Sequence, residues 1–175
     1  MSLRPPEIET IGTLRSGRIG GLRPMDLATA AALSPMLAEM EPWKRLGSSA
    51  EGLARTMFAP ANTTLRSWCL TVDGEMAGVL AVHEGWLLGP YLRRLAVLPT
   101  CQRQGLAQAA LDWWEADARR SRAANLWLSV ANFNASAQRL YETAGFRQAA
   151  VLEDLVAPGI TEILMRKQLN RPAQP

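Results

Sequence analysis

Along this chain the spacing of apolar residues changes period repeatedly, and the changes mark out the elements. LRSWCLTV (65–72) and EMAGVLAV (75–82) flank Asp73-Gly74, a dipeptide suited to a tight type I′ turn, so the pair predicts a β-hairpin. After a break at Gly85–Pro90, YLRRLAVL (91–98) reads as a buried strand. From Gly105 to about Arg122 the apolar positions Leu106, Ala109, Ala110 and Trp113 recur at helical spacing. LWLSV (126–130) returns to a strand, and Asn134 to Ala144 is a helix stopped by Gly145. The last segments, FRQAAVLEDLV and ITEILMRKQL, predict a second hairpin about Pro158-Gly159.

Upstream the pattern is weaker. Arg18 to Arg23 is a short candidate strand, and Asp26 is placed to cap a helix running towards Glu41 that Pro35 divides or kinks. Ser48 or Ser49 starts a further helix, SAEGLARTMF, which Pro60 ends. Residues 1–16 carry Pro5-Pro6 and little periodicity, and read as a loosely ordered lead-in; 170–175 read as a tail. The order β-α-α-β-β-β-α-β-α-β-β describes one α/β domain over 17–169. Its sheet is mixed, because a hairpin precedes the two crossover units.

Composition narrows the partners. At 175 residues with 48% hydrophobic and 20% charged content, the chain is long enough for one domain with a real core. A net charge of +3 with scattered arginines argues against a nucleic-acid partner and leaves anionic small molecules open. Two separated cysteines and one histidine argue against a disulfide framework and a metal site. No apolar run approaches the roughly 18 residues of a membrane span, and MSLRPPEIET lacks a signal peptide's apolar stretch. A cytoplasmic protein is the expectation.

The candidate chemistry lies in VLPTCQRQGLA (97–107), where a strand hands over to a helix through polar residues and a glycine. With Gly105 at the helix start, the N–H groups of 103–107 have no intrahelical acceptors and converge at the positive end of the helix dipole. Small Gly105 and Ala107 admit a bulky anion, Gln102 and Arg103 can add donors, and several donors over one turn suit a diphosphate. A plain strand-to-helix connection is the alternative. No Walker pattern or G-x-G-x-x-G occurs.

These residues resemble motif A of the GNAT superfamily of N-acetyltransferases, Q/R-x-x-G-x-G/A, filled by Gln102, Gly105 and Ala107, with Val97 and Pro99 at the family's V-x-P. Asn134, Ala137, Leu140, Tyr141, Gly145 and Phe146 match its N-x-x-A-x-x-L-Y-x-x-x-G-F. The resemblance covers about Gly17 to Leu169 and is sharpest over 91–147. It implies a mixed, mostly antiparallel sheet of six to seven strands flanked by helices, with a splayed central strand pair. It also implies acetyl-CoA as donor to an amine of a small molecule or peptide. Leu95, Ala96 and Val97 would pair with the pantetheine arm; Gln102, Arg103, Gln104, Gly105, Leu106 and Ala107 would hold the pyrophosphate; Asn134 and Ala137 would lie along the cofactor.

Tyr141 matches the family's general acid, the alternative being a tyrosine packed on the sheet. The base is not carried over. Tyr91-Leu92-Arg93 stands where some relatives have a carboxylate, and Ser129 where those acting on ribosomal protein N-termini have a glutamate. Glu84, His83, Glu153, Asp154 and Glu162 remain, with Glu84 favoured because it follows an apolar strand and precedes Gly85. Trp43, His83, Trp86 and Tyr91 are the substrate-pocket candidates. Homodimers are frequent in the family, and a non-catalytic acyl-CoA-binding module is the competing function.

Overall fold

Local signals set most element boundaries in the computed structural model, which describes residues 8–62 and 64–169. The lead-in's first residues and the expected tail lie outside that range. Asp26 accepts the Thr29 N–H at 2.7 Å and starts α1 (Leu27–Ala38). Pro35 sits inside α1 without dividing it: the Ala31 carbonyl, which Pro35 has no N–H to serve, accepts from the Ser34 hydroxyl at 3.3 Å. Ser49 caps α2 (Ala50–Met57) through the Gly52 N–H. Asp73 and Gly74, both at positive φ, turn β3 (Leu65–Val72) into β4 (Glu75–Trp86). The expected break at 85–90 is instead a tight turn, because β4 runs to Trp86 and β5 (Gly89–Val97) begins three residues later. The Leu87 carbonyl in that turn accepts from Trp127 Nε1 at 3.1 Å.

After β5 come α3 (Leu106–Arg120), β6 (Asn125–Ala131), α4 (Ala135–Thr143), β7 (Arg147–Glu153) and β8 (Thr161–Gln168). Ahead of all these lie β1 (Glu9–Thr13) and β2 (Ile19–Pro24). The described residues form one eight-stranded sheet, ordered β1-β2-β3-β4-β5-β6-β8-β7. That is at least one strand more than expected. β1 is the addition, for residues 9–13 pair with β2 rather than hanging loose, and Leu14 beside them is buried. Nothing in ETIGT announces a strand; its partner supplies the reason.

Helices cover both faces. Leu80, Val82, Leu92 and Leu128 pack on the side of α3 and α4 with Leu106, Trp114 and Phe146. Val79, Ala81 and Ala96 pack on the other side with Leu33, Leu37, Leu53 and Met57 of α1 and α2. Each fully buried Val, Leu, Met or Phe among them contributes about 1.5–3 kcal/mol. No helix among the described residues is long and apolar enough to cross a membrane.

The sheet has several register shifts, and the one on β5 lies where a gap opens. β5 and β6 are its parallel neighbours, and they pair only at Tyr91↔Trp127 and Leu92↔Leu128. Against β4, the register passes from Val82↔Leu92 to Ala81↔Arg94 and skips Arg93. That extra residue is a β-bulge, which bends the strand carrying it. Meanwhile β6 stays paired with β8 along its whole length, from Asn125↔Gln168 to Ala131↔Glu162. Beyond Leu92 the two strands therefore part.

Candidate active site

A cleft of ≈ 1070 Å³ occupies the gap. One end reaches the turn before α3, and the other reaches the α1–α2 connection at Met40, Trp43 and Leu46.

The α3 end is built from main chain. Gly105 caps the helix in the left-handed conformation, φ +94°, and Arg103 two residues earlier is left-handed as well. A side chain at 105 would strain that backbone. The first N–H to bond back is that of Ala109, to the Gly105 carbonyl at 3.0 Å, so the amides before it face outwards at the positive helix end. Gln102 lines the cleft, and its Nε2 donates to the Val97 carbonyl at 2.9 Å, which folds the loop onto β5. Gln104 does not line the cleft. Its side chain accepts from Ser16 Oγ at 2.9 Å and donates to the Thr100 carbonyl at 3.3 Å. Leu95, Ala96, Val97, Arg103, Gly105, Leu106 and Ala107 do line it. So do Asn134 and Ala137, which are tied together at the start of α4, Asn134 Oδ1 accepting the Ala137 N–H at 3.2 Å.

Arg15 and Arg139 also face this cleft, and the sequence offered no sign of either. Arg15 arrives from the β1–β2 connection, where its N–H donates to the Gln104 carbonyl at 2.9 Å. That contact joins residues far apart in the chain, and no local pattern encodes it.

The middle of the cleft holds hydroxyl and carboxyl groups. Tyr141, on α4, is buried, and burial first, then the neighbouring Tyr91 and Glu162, push its phenol above the ordinary range. Tyr91 and Ser129 share a hydrogen bond of 2.9 Å across the start of the gap. Glu162, opposite Ala131 on β8, is 6% exposed. Burial raises its pKa, and the Ser129 hydroxyl offsets part of the rise. Tyr141, Tyr91, Ser129 and Glu162 thus line one space.

Glu84 lies elsewhere. Alternation along β4 turns Leu80 and Val82 towards α3, and Glu84 follows them. It is held by Arg66 Nη1 at 2.9 Å, which also grips Asp117 of α3 at 2.7 Å. The favoured base is therefore a member of an ion-pair cluster outside the cleft. His83 is also outside, with Nδ1 3.5 Å from Thr64 Oγ1. Trp86 misses the lining but stacks obliquely on Tyr91, ring centres 5.4 Å apart. Trp43 and Tyr91 do line the cleft. No cluster of His, Cys, Asp or Glu side chains fit for a metal occurs among the described residues.

Residues 33–146 match the profile of the acetyltransferase (GNAT) family. Over 82 residues the chain is 39% identical to the [ribosomal protein bS18]-alanine N-acetyltransferase of Escherichia coli K12, an alignment covering 47% of this chain and 55% of that one. The chain thus spans about half the length of this curated relative. The crystal structure of the ribosomal-protein-S18-alanine N-acetyltransferase from Escherichia coli superposes with a TM-score of 0.68 at 25% identity, over 89% of this chain and 97% of that one. An acetyltransferase from Salmonella typhimurium solved with its cofactor acetyl-CoA shares the fold, with a TM-score of 0.65 at 17% identity over 89% and 97%. The profile spans well over half of the sequence and takes in β5, the Gly105 turn, β6 and α4, the elements that open the cleft; the chain belongs to the GNAT acetyltransferase family.

Proposed function

We propose that this chain binds acetyl-CoA in the β5–β6 cleft and transfers the acetyl group to an amine of a peptide or small molecule. One observation carries the reading: a single gap joins an open amide turn suited to a diphosphate to a buried phenol and a buried carboxyl. The left-handed Gly105 and the outward amides fit the anionic end of coenzyme A. The strand edge left free beyond Leu92 fits an extended pantetheine arm, which pairs as an added strand would.

Acetyl-CoA supplies the activated acyl group, a thioester carbon open to a neutral amine. The chain supplies the proton traffic. Glu162, not Glu84, takes a proton from the acceptor's ammonium, directly or through a water, and frees the nitrogen lone pair. The C–N bond forms, the C–S bond breaks, Tyr141 gives its phenolic proton to the leaving sulfur, and the second proton shed by the nitrogen as it becomes an amide restores the Tyr141 phenol, directly or through a water. Burial serves both steps: it keeps the phenol protonated at neutral pH and makes Glu162 more basic than a solvated carboxylate. General acid and base help is worth about 10²–10⁴-fold each.

The test is thiol release from acetyl-CoA across peptides and small amines, with Tyr141→Phe beside the unaltered chain. Peptides beginning with alanine come first, since the matched Escherichia coli relative acts on an alanine amine. Tyr141→Phe should lose about 10²-fold in kcat while coenzyme A still binds by calorimetry. Binding without turnover on every acceptor would favour the non-catalytic module. No heat with coenzyme A would remove both readings.

A further inference from the structure

Arg94 is a buried cation with no carboxylate partner among the described residues. Its residue is 9% exposed, it follows the Arg93 bulge directly, and it lines the cleft. Nη1 donates to Thr56 Oγ1 of α2 at 2.9 Å, while Nε is buried with no acceptor. The guanidinium carbon lies 5.6 Å from the ring centre of Trp43, which shares the cleft wall. The other nearby charge is unhelpful, for Arg93 is a cation too. Of the carboxylates on the cleft wall, Glu41 is 3.6 Å from Arg45 and Glu162 sits by Ser129. Burial and Arg93 lower the Arg94 pKa to about 10, so the group stays charged at neutral pH.

Desolvating an unpaired guanidinium is strongly unfavourable, and an apolar side chain would serve the packing better. Arg66 shows how the same fold treats an arginine that only holds elements together: it has two carboxylates. Arg94 has an aromatic face and one hydroxyl, and it lines the cleft. It projects towards α2 and the α1–α2 connection, whereas the Gly105 turn feeds α3 on the opposite face of the sheet. The cofactor's phosphates are held at that other end.

We infer that Arg94, backed by Trp43, is an anion subsite of the acceptor pocket, and that the accepted amine belongs to a molecule carrying a carboxylate. The N–H groups that Thr56 does not use take the carboxylate, completing the pairing that the chain leaves open. The amine is then presented from the α1–α2 side towards Tyr141 and Glu162. The inference rests on the acetyltransferase reading for the amine alone; the anion subsite stands or falls by itself.

The experiment uses matched pairs that differ by one carboxylate: alanine and alaninamide, and C-terminally amidated Ala-Glu and Ala-Gln peptides. Binding of their N-acetylated forms is measured by calorimetry on the coenzyme A-saturated protein, with thiol release on the free amines in parallel. The carboxylate member of one pair should bind at least 10-fold more tightly. Which pair shows it tells a free amino acid from an acidic peptide. Arg94→Gln should erase the preference without lowering Tm, and Arg94→Lys should keep part of it. A purely structural arginine predicts the reverse, a lower Tm with selectivity unmoved. Equal binding within both pairs, or a preference that survives in Arg94→Gln, overturns the inference. A carboxylate preference in binding with no thiol release from any amine leaves the subsite standing and strikes the acetyl-transfer reading instead.

Discussion

The two ends of the cleft are made of different material. At the α3 end, main-chain amides held by two left-handed residues face the cleft, with Arg15 and Arg103 beside them. From the middle to the α1–α2 end the groups that face it are side chains: Tyr91 and Arg94 from β5, Ser129 from β6, Glu162 from β8 and Trp43 from a connection. An amide turn reads charge and asks little of its neighbours beyond small size. A side-chain site reads identity, and it exists only when distant strands fall in register. One end therefore suits a ligand common to many proteins, the other a ligand that only one arrangement of strands would fit.

Glu162→Gln strains this contrast most. It should lower kcat by about 10²–10³-fold and leave the calorimetric affinity for coenzyme A unchanged; an equal loss of affinity would mean that the ends are not separate. Next comes pH. Glu162 must be ionised to act, so kcat should climb through a carboxyl pKa displaced upward by burial, and the Glu162→Gln profile should lack that limb. Stability should move the opposite way. The folded chain holds this proton more tightly than the unfolded chain, so the neutral carboxyl's contribution is present at low pH and lost as pH rises through the raised pKa. Urea midpoints of the two proteins, compared across that window, read the effect.

Gly105→Ala probes the other end. A methyl at φ +94° costs about 1 kcal/mol or more of stability. It should raise KM for acetyl-CoA several-fold with a smaller change in kcat. The smallest effect belongs to Glu84→Gln, which leaves Arg66 with Asp117 and should change stability by less than about 1 kcal/mol and kcat not at all. A tenfold loss of kcat there would return Glu84 to the chemistry.

What was legible in the sequence follows the same division. Asp26, Ser49, Asp73-Gly74, Gly105 and Gly145 act on backbone within a few residues, and each sets a boundary where its local chemistry requires one. The Gly105 turn, being local, was legible with them. Glu84 was misread because nearness to an apolar run does not say which face of the sheet a residue meets; the alternation fixed by Leu80 and Val82 does. Glu162 was one carboxylate among several until the β6–β8 register set it opposite Ala131. Arg94 looked like half of an ordinary Arg-Arg pair, and only a skipped rung separates its surroundings from those of Arg93.

That skipped rung has an evolutionary and an engineering consequence. Deleting Arg93 would bring the ladder on the β4 side back into step, straighten the strand and let it zip against its parallel neighbour. The protein would gain hydrogen bonds and lose the gap. In this fold the two parallel strands part beside a single surplus residue, so shortening the chain by one probes the gap itself rather than any side chain that lines it.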